Sequence, residues 1–260
     1  MKLIIDSQYF AQFSYYKISY RFTNIVFEQY ESWQKMSFRN RCRITGAEGV
    51  IDLSIPIVGG RDQRCLMKEV RVADDKRWRD RHWKTIASCY GRSPWFELYR
   101  DELADLYRRP VKFLLDWNLA CFDWSTKVLG MAPAIALSDR YQKGYSGDEV
   151  LDWRGRIVPG RKRDEPVQPG DREAASVGGK AGYVEPGTVG GEGIGGEAGR
   201  VEPGTVGGEG IPPGRNGSDV GAGAPRYRQV FEERIGFVPD LSILDLLFCE
   251  GPNAIRYIQS

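Results

Sequence analysis

The stretch LIIDSQYFAQFSYYKISYRFTNIVFE, residues 3–28, decides the fold. LII at 3–5 reads as a short buried strand, and NIVFE at 24–28 as a second. Between them, residues 8–21 carry Phe10, Phe13, Tyr16 and Tyr20 at roughly helical spacing. A strand, a helix and a strand in that order favour parallel pairing.

Working outward, FRNRCRI at 38–44 and VIDLSIPI at 50–57 alternate with period two around the turn Gly46-Ala47-Glu48-Gly49, the pattern of a hairpin. LMKEVRV at 66–72 reads as a further strand. Three helices are expected next, at about 75–90 with Asp74 or Asp75 as N-cap, at 94–107 and at 111–129. Strands first and helices after, with both kinds of pairing, predict an α/β (α+β) fold with a mixed sheet followed by a helical half. The tail FVPDLSILDLLFCEGP, 237–252, opens a helix at Ser242 with Asp245 three residues on. Gly251-Pro252 stops it, and a helix restarts over 253–259. The expected organisation is one domain, residues 1–145 plus 229–260, interrupted by an insertion at 146–228.

That insertion differs in composition. Residues 176–225 hold 18 of the 31 glycines and neither Trp nor Phe, and VEPGTVGGEGI at 184–194 recurs at 201–211. Such a stretch buries too little apolar surface to offset the entropy of ordering it, so a flexible, low-complexity tether is expected. Gly191, Gly193 and Gly196 match GxGxxG by letter only, because no strand and helix flank them. Gly178-Gly179-Lys180 lacks the frame of a phosphate loop, and Asn216-Gly217-Ser218 is a sequon with no context.

Charge and cysteine content narrow the classes. The chain of 260 residues has a formal net charge of +2, yet residues 1–145 carry 24 basic against 17 acidic side chains. A basic lobe suits anionic ligands such as phosphates. Five scattered cysteines make neither a disulfide framework nor a zinc ribbon. No apolar run is long enough for a membrane span. Asp6 interrupts any signal-peptide core, and a cytoplasmic location is expected. A single histidine, His82, rules out a site with two His ligands, and no metal site is expected.

Two features carry chemistry. Arg39, Arg41 and Arg43 stand two apart, so one strand would project them from one face, with Lys35 just upstream; Arg forks fit phosphate or carboxylate. A solvated face paired with Asp52 explains them equally well. On the helix at 75–90, Trp78, His82, Ile86 and Cys89 share one stripe, and Arg77, Arg81, Lys84 and Ser88 another. His82 is then a half-buried structural residue or a general base. A His82–Cys89 dyad fails, because seven residues of helix separate the two by about 10 Å.

Taken together, QYESWQKMSFRNRCRI (29–44), DLSIPI (52–57), KEVRV (68–72), WRDRHWKTIASCYGRSPWFE (78–97) and LLDWNLA (114–120), with the tail at 237–252, resemble the WbqC-like family of bacterial proteins. Its genes occur in O-antigen and other surface-polysaccharide clusters. The resemblance implies a transferase that places glycine or another small acyl group on a sugar. Its His-Gln-Pro element stands here as Ser7-Gln8-Tyr9, its Asn-Arg as Asn40-Arg41, and its Trp-x-x-x-His as Trp78 and His82. On that reading the partners are a sugar nucleotide or phosphorylated sugar and an acyl donor, and no cofactor is named. Arg41, Arg43 and Lys35 would hold phosphates. Gln8 and Asn40 would orient polar groups, and His82 would act as base with Tyr90 or Asp245 orienting it. The rival reading is a non-catalytic anion- or glycan-binding assembly protein. A pocket walled by His82 favours the enzyme; a sealed His82 with the arginines on a flat face favours the binder. Nucleic-acid binding is weaker still, since acidic residues are interspersed throughout the basic lobe.

Overall fold

Four short strands lie side by side in the order β5-β2-β1-β6, every neighbouring pair parallel. They are β1 (Lys2–Asp6), β2 (Asn24–Glu28), β5 (Ala134–Leu137) and β6 (Val150–Asp152). β3 (Arg41–Gly46) and β4 (Gly49–Ser54) form a separate antiparallel hairpin. The computed structural model describes residues 1–73, 76–145, 149–159 and 226–260, with Lys76 in its backbone only. The glycine-rich repeat, the letter motifs, the sequon and the Asp74 or Asp75 cap lie outside the described residues.

The parallel β1–helix–β2 unit is present, with Ile4 of β1 level with Val26 of β2 and Asp152 of β6. The helix, α1 (Phe13–Tyr20), is shorter than the aromatic spacing suggests. Residues 8–12 stay extended or turned because Gln12 bridges to Ser242 and Phe10 adopts a positive φ. Phe10 is nevertheless buried, and the exposed member of the aromatic set is Tyr20. The hairpin forms where it was read, but β3 begins at Arg41 rather than Phe38 and β4 ends at Ser54 rather than Ile57, and Gly49 takes the φ of +126° that its turn requires.

Two expectations are corrected. LMKEVRV is not a strand: Met67–Glu69 is a 3-10 turn whose flanks make only isolated bridges, Ser32 to Leu66, Ile57 to Val72 and Arg71 to Phe113. A turn there lets Met67 and Val70 both enter the core, which strand alternation would forbid. Residues from 146 onward are not all tether, because β6 pairs with β1 and Trp153 N–H bonds the Ile4 carbonyl.

Helices α2 (Lys76–Tyr90), α3 (Phe96–Arg108) and α4 (Leu114–Val128) follow the reading closely. α4 brings Phe122 edge-on to Phe27 and stacked on Tyr16, closing the core over β2 and α1. The tail holds α5 (Glu232–Ile235), α6 (Ile243–Glu250) and α7 (Ala254–Gln259). Ser242 caps α6, its hydroxyl accepting from Leu244 N–H. Asp245 does not complete a capping box; its carboxylate points into the core instead. Leu241, Leu244, Leu247 and Phe248 are all fully buried, Phe248 between Tyr90 and Phe96.

Candidate functional site at the carboxyl ends of the strands

The chain passes from β1 to β2 and outward to β5, then returns across the sheet to β6. The strand order therefore reverses between β1 and β6, and at such a seam the loops after the strands diverge and leave room for a ligand. β1, β2 and β6 each end in a carboxylate: Asp6, Glu28 and Asp152. Apolar runs closing on an acid, LIID, VFE and VLD, are the signal in the sequence that pointed here and was passed over.

Charge balance follows a simple rule, since a buried charge survives only when paired and hydrogen-bonded. Arg39 is 1% exposed and forks onto Glu31, Nε to Oε1 at 2.8 Å and Nη2 to Oε2 at 2.7 Å. Its third arm reaches Gln34 Oε1 at 3.1 Å, and Asp6 lies 3.7 Å from Nη2. Burial alone would weaken the Arg39 charge, but Glu31 and Asp6 outweigh it and hold the guanidinium protonated. Burial pushes Glu31 up, against the pull of Arg39. Arg154 forks onto Asp152 at 2.9 and 2.8 Å and reaches Glu28 at 3.0 Å, with Tyr141 and Tyr145 flanking its plane. Ser138, just beyond β5, donates to Glu28 at 2.7 Å.

Gln8 sits at the seam itself. Its Nε2 donates to Asp6 Oδ2 at 3.0 Å and to the Ile157 carbonyl at 3.1 Å, which fixes the amide orientation. Its Oε1 is buried with no donor. Gly155 N–H donates to the other Asp6 oxygen at 2.8 Å, so the segment after β6 is fastened to the end of β1. Asn118 donates to the Arg39 carbonyl at 2.8 Å and approaches Ser7 at 3.4 Å, and its own Oδ1 also lacks a partner.

The other predicted site residues are dispersed. His82 is 2% exposed, with Nδ1 3.0 Å from the Tyr9 hydroxyl, which also bonds the Tyr107 hydroxyl. Trp78 meets the His82 ring edge-on, and its indole N–H has no acceptor. Burial, and then Arg81, push the imidazole down to about 4, so it is neutral at pH 7. Tyr90 and Asp245 do not reach His82; they bond each other at 2.7 Å, with Tyr227 donating to the second Asp245 oxygen at 2.6 Å. Thr45 donates to the same carboxylate at 3.2 Å. Arg43 forks onto Asp52 at 2.9 and 3.1 Å on the hairpin surface, and Arg41 lies 3.7 Å from the same carboxylate. Lys35 pairs with Asp62 in solvent, and Asn40 donates to the Ile55 carbonyl at 3.0 Å. Of the predicted set, Gln8 alone lies at the seam. Cys42 is pushed up to about 12 by burial, and burial likewise raises Cys121 and Cys249, so these thiols are not ionised near pH 7. Among the described residues no group of His, Cys, Asp and Glu is arranged to hold a metal ion, and no helix is long and apolar enough to cross a membrane.

The family model of the WbqC-like protein family matches residues 6–157, from the end of β1 to the residue whose carbonyl Gln8 grips. The chain belongs to the WbqC-like protein family. The match includes β6 and the last residue of β1, and stops before the tail, so the resemblance read at 237–252 lies outside it. No curated protein and no solved structure matches the chain.

Proposed function

We propose that this WbqC-like protein is a transferase of surface-polysaccharide assembly that acts on a sugar nucleotide or phosphorylated sugar, with its site at the seam between β1 and β6. The observation that carries this is Gln8, a buried amide locked by two acceptors on one side and left with an unpartnered carbonyl on the other. An orphaned buried acceptor costs about 1–3 kcal/mol, which a donor on the ligand would recover. A sugar hydroxyl or an amine is such a donor. Glycine or another small acyl group is the transferred unit that family membership suggests. In this reading the amine or hydroxyl of the acceptor bonds to the acyl carbon and gives its proton to Asp6, the donor's acyl bond breaks and its leaving group departs with that electron pair and the proton, and His82 serves as a positioning residue that holds the segment after β1 through Tyr9. The anion contacts first assigned to Lys35, Arg41 and Arg43 are dropped, because acidic neighbours occupy those cations.

A thermal-shift screen of sugar nucleotides and acyl donors tests it. A ligand at 100 times its dissociation constant adds about 2.7 kcal/mol of stability. A compound that raises the melting temperature of the wild type but not of Gln8→Ala is the expected result. Equal responses in the two proteins would refute the seam.

The second reading is a non-catalytic anion- or glycan-binding protein of the same pathway. Sealed His82 favours it. Turnover by the wild type in the presence of the ligand found above separates the two.

A further inference from the structure

A groove of about 620 Å³ runs between β4 and α2, lined by Ile51, Arg77, Asp80, Arg81, Lys84, Thr85, Ser88 and Cys89. Three cations face one carboxylate along it, and Ile51 supplies an apolar wall. The spacing 77, 81, 84, 88 keeps one side of α2 turned to the groove over about 16 Å of helix.

The charges in this groove differ from those of α3 and the hairpin. On α3, Arg100 pairs with Glu97 and Arg108 with Asp105. On the hairpin, Asp52 takes both arginines. In the groove, Arg81 and Lys84 have no side-chain partner among the described residues. Asp80 stands four residues before Lys84, the favoured order for a helix ion pair, yet the two do not pair. Arg81 and Lys84 are three apart, so they share a face and repel. An anion between them removes that repulsion, and the Ser88 hydroxyl lines the same groove, whereas Thr85 donates its own to the Arg81 carbonyl at 2.9 Å. The volume falls within the range of small-molecule sites.

We propose that this groove binds a phosphoryl or diphosphoryl group of a soluble ester, with Arg81 and Lys84 as the gripping cations and the organic part against Ile51. This goes beyond the seam reading and does not depend on it, since no groove residue belongs to the seam.

Inorganic pyrophosphate is the probe, titrated calorimetrically into the full chain at low salt, with sulfate at matched ionic strength as control. The double variant Arg81→Ala/Lys84→Ala should bind at least 10-fold more weakly, whereas Arg43→Ala and Gln8→Ala should bind as the wild type does. Cys89 lines the groove and is half-buried, so saturating pyrophosphate should slow its alkylation by iodoacetamide several-fold. Cys65, also half-buried but outside the groove, should react at an unchanged rate. Unchanged affinity in the double variant, equal binding of sulfate, or no protection of Cys89 each overturns the proposal. None of these results bears on the Gln8 test.

Discussion

The molecule buries polar groups in two ways, and the two regions answer burial differently. At the carboxyl ends of the strands, carboxylates largely withdrawn from water are matched by arginines: Arg39 with Glu31 and Asp6, and Arg154 with Glu28 and Asp152. Around α2 and α6, burial favours the neutral forms. Phenols face His82, whose basicity is depressed, and phenols also face Asp245, whose carboxyl burial raises. Paired ions in an interior are expensive to assemble and are weak evidence of stability, and here four carboxylates and two arginines stand together at the strand ends. Hydroxyls bonded to His82 and Asp245 inside an aromatic core specify packing.

The largest effect should come from opening the ionic side. Arg39→Met leaves Glu31 and Asp6 without their counter-charge and should cost about 3–5 kcal/mol by urea unfolding. Adding Glu31→Gln should restore part of that. A cost under about 1 kcal/mol would mean that water already reaches the pair, and the contrast would fail.

On the neutral side, His82 sets an acid limit. Its folded pKa is below the unfolded value, so the unfolded chain takes up the proton first as pH falls. Stability from this residue is therefore complete above about pH 6.5 and declines towards pH 4, by roughly 3 kcal/mol in total. His82→Gln should flatten that part of the stability–pH curve relative to the wild type; parallel curves would contradict the assignment.

Asp245→Ala should cost about 2 kcal/mol, since it strands the buried Tyr90 and Tyr227 hydroxyls. Burial raises the Asp245 carboxyl, so its ionised form opposes folding, and the variant should lose less stability relative to wild type as pH rises above about 4. A cost that grows with pH would show a compensating cation that has gone unrecognised. Arg43→Ala should change stability by less than about 1 kcal/mol, because its pair with Asp52 is partly exposed. A larger loss would make the hairpin face a third structural network.

Much of this frame was legible in the sequence. LII, NIVFE, the hairpin and α2 to α4 announce themselves by period. β5 and β6 did not, being four and three residues long and, for β6, inside the stretch read as a tether. The stripe Trp78–His82–Ile86 was correct as a buried face, but helical spacing cannot reveal that Tyr9, 73 residues away, supplies the partner of His82. The arginine row misled at one end only. β3 begins at Arg41, so Arg39 escapes the strand alternation and turns inward to Glu31. Gln8 was visible through its family element, whereas Asp6, Glu28, Asp152 and Arg154 become a cluster only once parallel register brings the strand ends together.

Because the chain has one histidine, its imidazole can be followed alone by nitrogen-15 NMR across a pH titration. The account predicts a neutral ring that begins to protonate only as pH approaches about 4, its Nδ1 shift marking the bond to the Tyr9 hydroxyl. An imidazole that titrates between pH 6 and 7 would place His82 in contact with water and return it to the role of general base.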